Sequence, residues 1–141
     1  MSPPHLRRKT GLSLAGARAI LDAALAEAER NAWNAVITIV DESAHPILVA
    51  RMDEAHLSSL ELALGKARTA VVARTESGAL ERRILDEGKT SLLAAGNLLP
   101  LKGGLPIVIE GAIVGAVGVS GLRSAQDEQV ARAGIAALTA R

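Results

Sequence analysis

Apolar residues recur along this chain with two different periods, and the switch between them lays out its elements. Leu14, Ala17, Ile20, Leu21, Ala24, Leu25 and Ala28 return every three or four positions, with Arg18, Asp22, Glu27 and Glu29 mostly between them. That spacing predicts an amphipathic helix over residues 14–31, with Ser13 placed to cap its first free amides. Residues 35–40 and 46–52 are short apolar runs joined by residues 41–45, which open on turn-forming side chains, so a β-hairpin is expected there. Helical spacing returns over residues 58–74. Residues 78–97 then read as two short helices parted near Gly88, and residues 98–101 as a short strand.

Residues 103–127 carry the densest pattern. Two β-branched runs, residues 105–109 and 112–119, flank Glu110 and Gly111, a pair suited to a two-residue hairpin turn because glycine tolerates positive φ. Gly115 and Gly118 fall inside the second run, where a glycine signals a close backbone approach, a bulge or a ligand against the sheet. Ser124 and Asp127 are spaced as a capping box with Asp in the usual Glu or Gln place, at the head of an alanine-rich helix over residues 125–140. The order helix, hairpin, helices, short strand, hairpin, helix predicts an α+β fold. It is read as a single domain with an antiparallel sheet of about five strands flanked by helices. Residues 1–12, with paired prolines and Arg7-Arg8-Lys9, are expected to be a flexible tail, and residues 13–141 one domain without internal repeat.

Composition narrows the function. The chain has 141 residues, 49% of them hydrophobic and 22% charged, which suits one domain with an adequate core. A net charge of +1 and a single aromatic residue, Trp33, argue against nucleic-acid partners, which are read by basic surfaces and stacking rings. The lack of cysteine removes disulfides, thiolate nucleophiles and iron–sulfur ligation. No apolar run reaches membrane-spanning length, so a cytoplasmic protein with no membrane partner is expected. A small sheet leaves faces and edges to cover, which predicts a homo-oligomer.

Candidate chemistry gathers in four places. On the helix of residues 58–74, Lys66 stands at the border of the apolar arc. There it can bind an anion or act as base or Schiff-base former in a pocket, or simply snorkel to solvent. Asp53, Glu54 and His56 crowd the loop leading into that helix, as general acid or base groups or as an ordinary solvated turn. Asp53 or Glu54 with His56 and His45 make a weak metal set, since no established ligand spacing is present, and no metal is expected. The stretch 120–124 leads into a helix N-terminus that can favour an anion, and Gly103-Gly104 can admit a ligand close to the backbone or form a plain bend. No GxGxxG or GxSxG motif occurs.

Val40-Asp41, Arg51-Met52-Asp53 with Ala55, Lys66-Ala67 with Thr69-Ala70, Gly103-Gly104-Leu105-Pro106-Ile107 and residues 115–121 together resemble the GlcG/HbpS family of haem-binding-like proteins, and Asp127 extends the match. The resemblance covers nearly the whole chain from Leu12. It implies a profilin-like sheet with flanking helices, assembly into dimers or higher oligomers, and a small-molecule ligand near subunit contacts. By the same resemblance Asp53, Lys66, Thr69, Gly103, Gly104 and Ser120 surround that ligand. Haem or another tetrapyrrole is the implied cofactor; of this chain's own evident donors, His45, His56, Met52 and Lys66, His56 is the preferred axial candidate. Three departures stand out: Glu54 where relatives often have glycine, Ser43-Ala44 in place of a glycine-containing turn, and His56 itself. The leading expectation is an oligomeric small-ligand-binding protein. The alternatives are an isomerase or lyase acting on a carboxylate or carbonyl compound, with Lys66 anchoring or activating the substrate and Asp53 or His56 moving the proton, and an accessory protein that binds a partner.

Overall fold

A computed structural model of the chain describes residues 3–139. Its elements are α1 (Leu14–Arg30), β1 (Val36–Asp41), β2 (Pro46–Arg51), α2 (Ser59–Val72), α3 (Ser77–Glu87), a 3-10 helix (Thr90–Ala94), β3 (Gly104–Ile109), β4 (Ala112–Ser120) and α4 (Ser124–Thr139). The helical and strand periods thus mark real elements, to within a few residues at their ends. Ser13 caps α1 as expected, its Oγ accepting from Gly16 N at 3.0 Å. The turn between β3 and β4 is Glu110-Gly111, both at positive φ of 50° and 80°, the backbone a tight hairpin requires. The expected end of the last helix at Ala140 lies outside the described residues.

Among the described residues the sheet has four antiparallel strands in the order β2-β1-β4-β3, not five. Residues 98–101 fail to add a strand because their amides are already used. Leu98 N donates to Ala95 O, Leu101 N to Leu99 O, and Leu99 N to the Thr69 hydroxyl at 2.7 Å. Pro100 has no N–H to offer. Residues 78–97 do hold two short helices, with Gly88 at a φ of 66° ending the first, although the second is a 3-10 turn.

Helices cover both faces of the sheet. Ile37, Ile39, Leu105, Ile107, Val117 and Val119 pack with Ala17, Ile20, Ala24 and Ala28 of α1 and Val130 and Ala131 of α4. On the other face Val40 and Ala116 meet Ala67 and Ala70 of α2. This second layer is thin because α2 lies directly on glycines. A Cβ on Gly118 would fall 2.0 Å from Ala63 O, and one on its cross-strand partner Gly104 would fall 2.2 Å from Lys66 O. Gly118 therefore reflects close approach of a helix, whereas at Gly115 an added Cβ would fall 2.2 Å from Val40 O of the neighbouring strand.

Candidate functional site

The antiparallel register brings the starts of β1 and β3 and the ends of β2 and β4 to one end of the sheet, since Val36 pairs with both Arg51 and Ser120, and Gly104 with Gly118. Gly103, Gly104, Ser120 and the loop holding Asp53 and His56 all come to this end, and α2 begins there. The hairpin turns, residues 41–45 and 110–111, occupy the other. His45 and His56 are thus held at opposite ends, and among the described residues no three His, Asp or Glu side chains gather as a metal ion would require.

Lys66 is only 4% exposed, inside the border that helix counting assigned it. Its Nζ donates to Val119 O at 3.0 Å and to Asp127 Oδ2 at 3.1 Å, an ion pair almost wholly out of solvent. Asp127 Oδ1 accepts from Leu122 N at 3.1 Å. One lysine and one aspartate thereby tie α2, the end of β4 and the first turn of α4 together. Burial pushes the Asp127 carboxyl up to about 6, against the opposing pull of the Lys66 ammonium and the Leu122 amide. The expected Ser124–Asp127 capping box is replaced accordingly. α4 starts at Ser124 itself, and it is Gln126 whose Oε1 reaches back to Arg123 N at 3.2 Å, while Asp127 serves the lysine.

The other residues of this group are packed around the same junction. Gly103, at a φ of 131°, leaves room for Lys66, whose Nζ and Cδ lie 3.0 Å from where a Cβ would stand. Gly104 N donates to the buried Ser77 hydroxyl at 2.8 Å, and Ser120 is 4% exposed at the last position of β4. Thr69 is fully buried. Its Oγ1 donates to Gly65 O and accepts from Leu99 N, both at 2.7 Å, and so pins the segment after the 3-10 helix to α2. Leu99 in turn divides two shallow cavities, one of about 500 Å³ with Gly65, Arg68 and Val72, the other of about 300 Å³ with Leu85, Leu93 and Leu101.

Asp53, Glu54 and His56 have the opposite setting. All three are exposed, and among the described residues none of their side chains enters a hydrogen bond or ion pair with another residue. Leu57 and Leu60 beside them are 82% and 40% exposed. The loop's backbone is anchored, with Met52 N donating to Ala35 O and Ser59 N to His56 O. The Met52 thioether accepts from Ala35 N at 3.4 Å and is thereby engaged. Lys66 and the Asp53–His56 loop are therefore not brought together by any hydrogen bond or ion pair. Asp127 is the member of the interior cluster that chain spacing assigned to another role. The available signal was a buried-stripe lysine needing a counter-charge, which helix counting on α2 alone cannot locate.

Comparison with known proteins agrees with this architecture. Residues 12–136 match the family model described as Haem degrading protein HbpS-like. The protein GlcG of Escherichia coli strain K12 is 40% identical over 115 residues, covering 82% of this chain and 85% of GlcG. Among solved structures, a double mutant of Streptomyces reticuli HbpS superposes with a TM-score of 0.88 at 32% identity, covering 98% of this chain and 94% of that one. A PduOC:haem complex does so with a TM-score of 0.82 at 31% identity, covering 91% and 95%. The chain belongs to the HbpS-like family.

Proposed function

We propose that this protein is a homo-oligomeric small-ligand-binding protein whose ligand is haem, held on the Asp53–His56 loop. His56 carries the reading, as an exposed imidazole with no protein partner among the described residues and with exposed leucines on either side of the turn into α2. The kinship with a protein solved as a haem complex and with HbpS supports the choice of ligand. The other sulfur and nitrogen donors fit less well: Met52 is engaged with Ala35 N, Lys66 with Asp127, and His45 lies at the far end of the sheet. Haem, when bound, supplies an iron centre open to redox and oxygen chemistry.

One subunit offers a single wall. Leu57 and Leu60 present apolar surface but enclose nothing, and the chain has no Phe or Tyr to stack on a porphyrin. A second copy supplying the opposite wall accounts for both the exposed leucines and the family's expected subunit contacts. Leu85 and Leu93, 74% and 63% exposed, extend the surface available for such contacts. The profilin-like classification accompanies this reading as an inference from the family, and the cytoplasmic setting as one from the sequence, which has no cysteine and no apolar run of membrane-spanning length. Among the described residues no helix is long and apolar enough to cross a membrane. An enzymatic role for Lys66 would require its buried pair with Asp127 to open, and so the binding role is preferred.

Haemin titration of the purified protein, followed by absorbance and by sedimentation, tests the proposal. A Soret shift in the wild type that is lost in His56→Ala, with an oligomer in both, is the expected result. An unchanged Soret spectrum in the wild type overturns the haem reading, and a monomer overturns the shared-site arrangement.

A further inference from the structure

At the turn end of the sheet, away from His56, the chain before α1 meets three other parts of the fold. Arg7, Arg8 and Lys9 line a cleft of about 450 Å³ together with Glu42 of the β1–β2 turn, Arg74 just past α2 and Gly111 of the β3–β4 turn. Four cations face one carboxylate there, a local excess of three in a chain whose net charge is only +1. Among the described residues Arg7, Lys9 and Arg74 form no ion pair. Charges this close reinforce one another at physiological ionic strength, where screening acts over about 8 Å.

At the end of α2, Thr75 N donates to Ala70 O and Arg74 N to Val71 O, which closes the helix in a Schellman turn. Arg74 holds the left-handed position of that turn, at a φ of 55°. Glycine is the usual residue there, so this position can lose its side chain without harm to the backbone.

We infer that this cleft binds a compact polyanion, bearing at least two phosphate or carboxylate groups, between the Arg7–Lys9 segment and Arg74. Guanidinium groups grip such oxyanions in paired hydrogen bonds. The site is independent of the haem reading, since it shares no residue with the Asp53–His56 loop.

Isothermal titration of the full chain with inorganic pyrophosphate and, separately, with citrate provides the test. Saturable binding that weakens with added salt is expected, falling by about tenfold or more in Arg74→Gly and again in Arg7→Ala/Lys9→Ala. Neither change threatens the fold, because residues 7–9 are exposed outside any helix or strand and Arg74→Gly suits the local φ. Pyrophosphate alone binding identifies a phosphate ligand, citrate alone a carboxylate ligand, and both together recognition by charge. No saturable binding of either probe, or wild-type affinity in both variants, overturns the inference. The haemin titration of these variants is expected to match the wild type, which separates failure here from failure at His56.

Discussion

Two charged groups of residues come to the same end of the sheet, and the fold treats them in opposite ways. Lys66 and Asp127 are drawn inside, matched to each other and to the backbone at Val119 and Leu122. Asp53 and His56 are left on the surface without a side-chain partner among the described residues. Charge buried at that depth is tolerated only when paired, and a one-sided change to it is severe. Exposed charge costs the fold almost nothing to keep or to lose, so the side chains of the loop are free for a task other than folding. The difference is testable because the two groups should separate cleanly into those that carry stability and those that carry ligand.

The largest effect is expected at Lys66. Lys66→Ala leaves the Asp127 carboxyl and Val119 O buried without their partner and opens a gap under Gly103, for a loss of about 3 to 5 kcal/mol in unfolding free energy at neutral pH. Urea unfolding measures it. The penalty should shrink at acid pH, where Asp127 protonates and no longer needs a counter-charge. A loss below that of an ordinary surface substitution would place Lys66 outside the structural group and return it to the candidates for ligand chemistry.

Acid titration gives the next effect, and its sign is fixed by Asp127. Its carboxyl ionises near 3.8 when unfolded and at about 6 when folded. The folded state therefore holds a proton that the unfolded chain has released between those values. Asp127's contribution to stability is full below the lower value and is lost as pH rises through the upper one. The gap corresponds to about 3 kcal/mol across that window. Glu27, lowered by its hydrogen bonds to Gln129 and Arg30, acts in the opposite direction. Comparing wild type with Asp127→Asn from pH 4 to pH 6 removes that background, and the downward slope with rising pH should be present only in the wild type. Parallel curves would show that Asp127 does not titrate in this range.

A smaller loss is expected at Thr69. Thr69→Val keeps the shape but leaves Leu99 N without its acceptor, costing about 1 to 2 kcal/mol. Hydrogen exchange at the Leu99 amide should accelerate more than exchange in β4. Equal acceleration in both places would mean that residues 98–101 are held by packing and not by this hydroxyl.

These residues also show what the chain makes legible. Periodicity located α1, both hairpins and α2, because each buries a local stripe or alternation that a short window reveals. It misplaced residues 98–101, since an apolar run says nothing of whether its amides are already bonded, here to Thr69 some 30 positions away. The Lys66–Asp127 pair escaped for the same reason, with 61 residues between its members. Local spacing assigned Asp127 to a cap, although its carboxylate does meet a backbone amide at the same helix start. The family resemblance supplied the membership and grouped Lys66, Gly103, Gly104 and Ser120. It could not tell that Gly103 and Gly104 lie against Lys66, because that contact depends on how α2 rests on the sheet at Gly104 and Gly118.

The smallest change in stability and the largest change in binding are expected together at the exposed loop. His56→Ala and Asp53→Ala each remove a side chain that touches no other residue through a hydrogen bond or ion pair among the described residues, so unfolding free energy should move by no more than about 0.5 kcal/mol. Haemin binding should nevertheless collapse in His56→Ala, while Asp53→Ala, which removes no axial donor, should weaken it less. Measuring both quantities on the same preparations distinguishes the two groups directly. If His56→Ala instead destabilised the fold as Lys66→Ala does, the loop would belong with the interior pair. The contrast between the buried and exposed groups would then be one of position alone, and the haem reading would lose the residue that carries it.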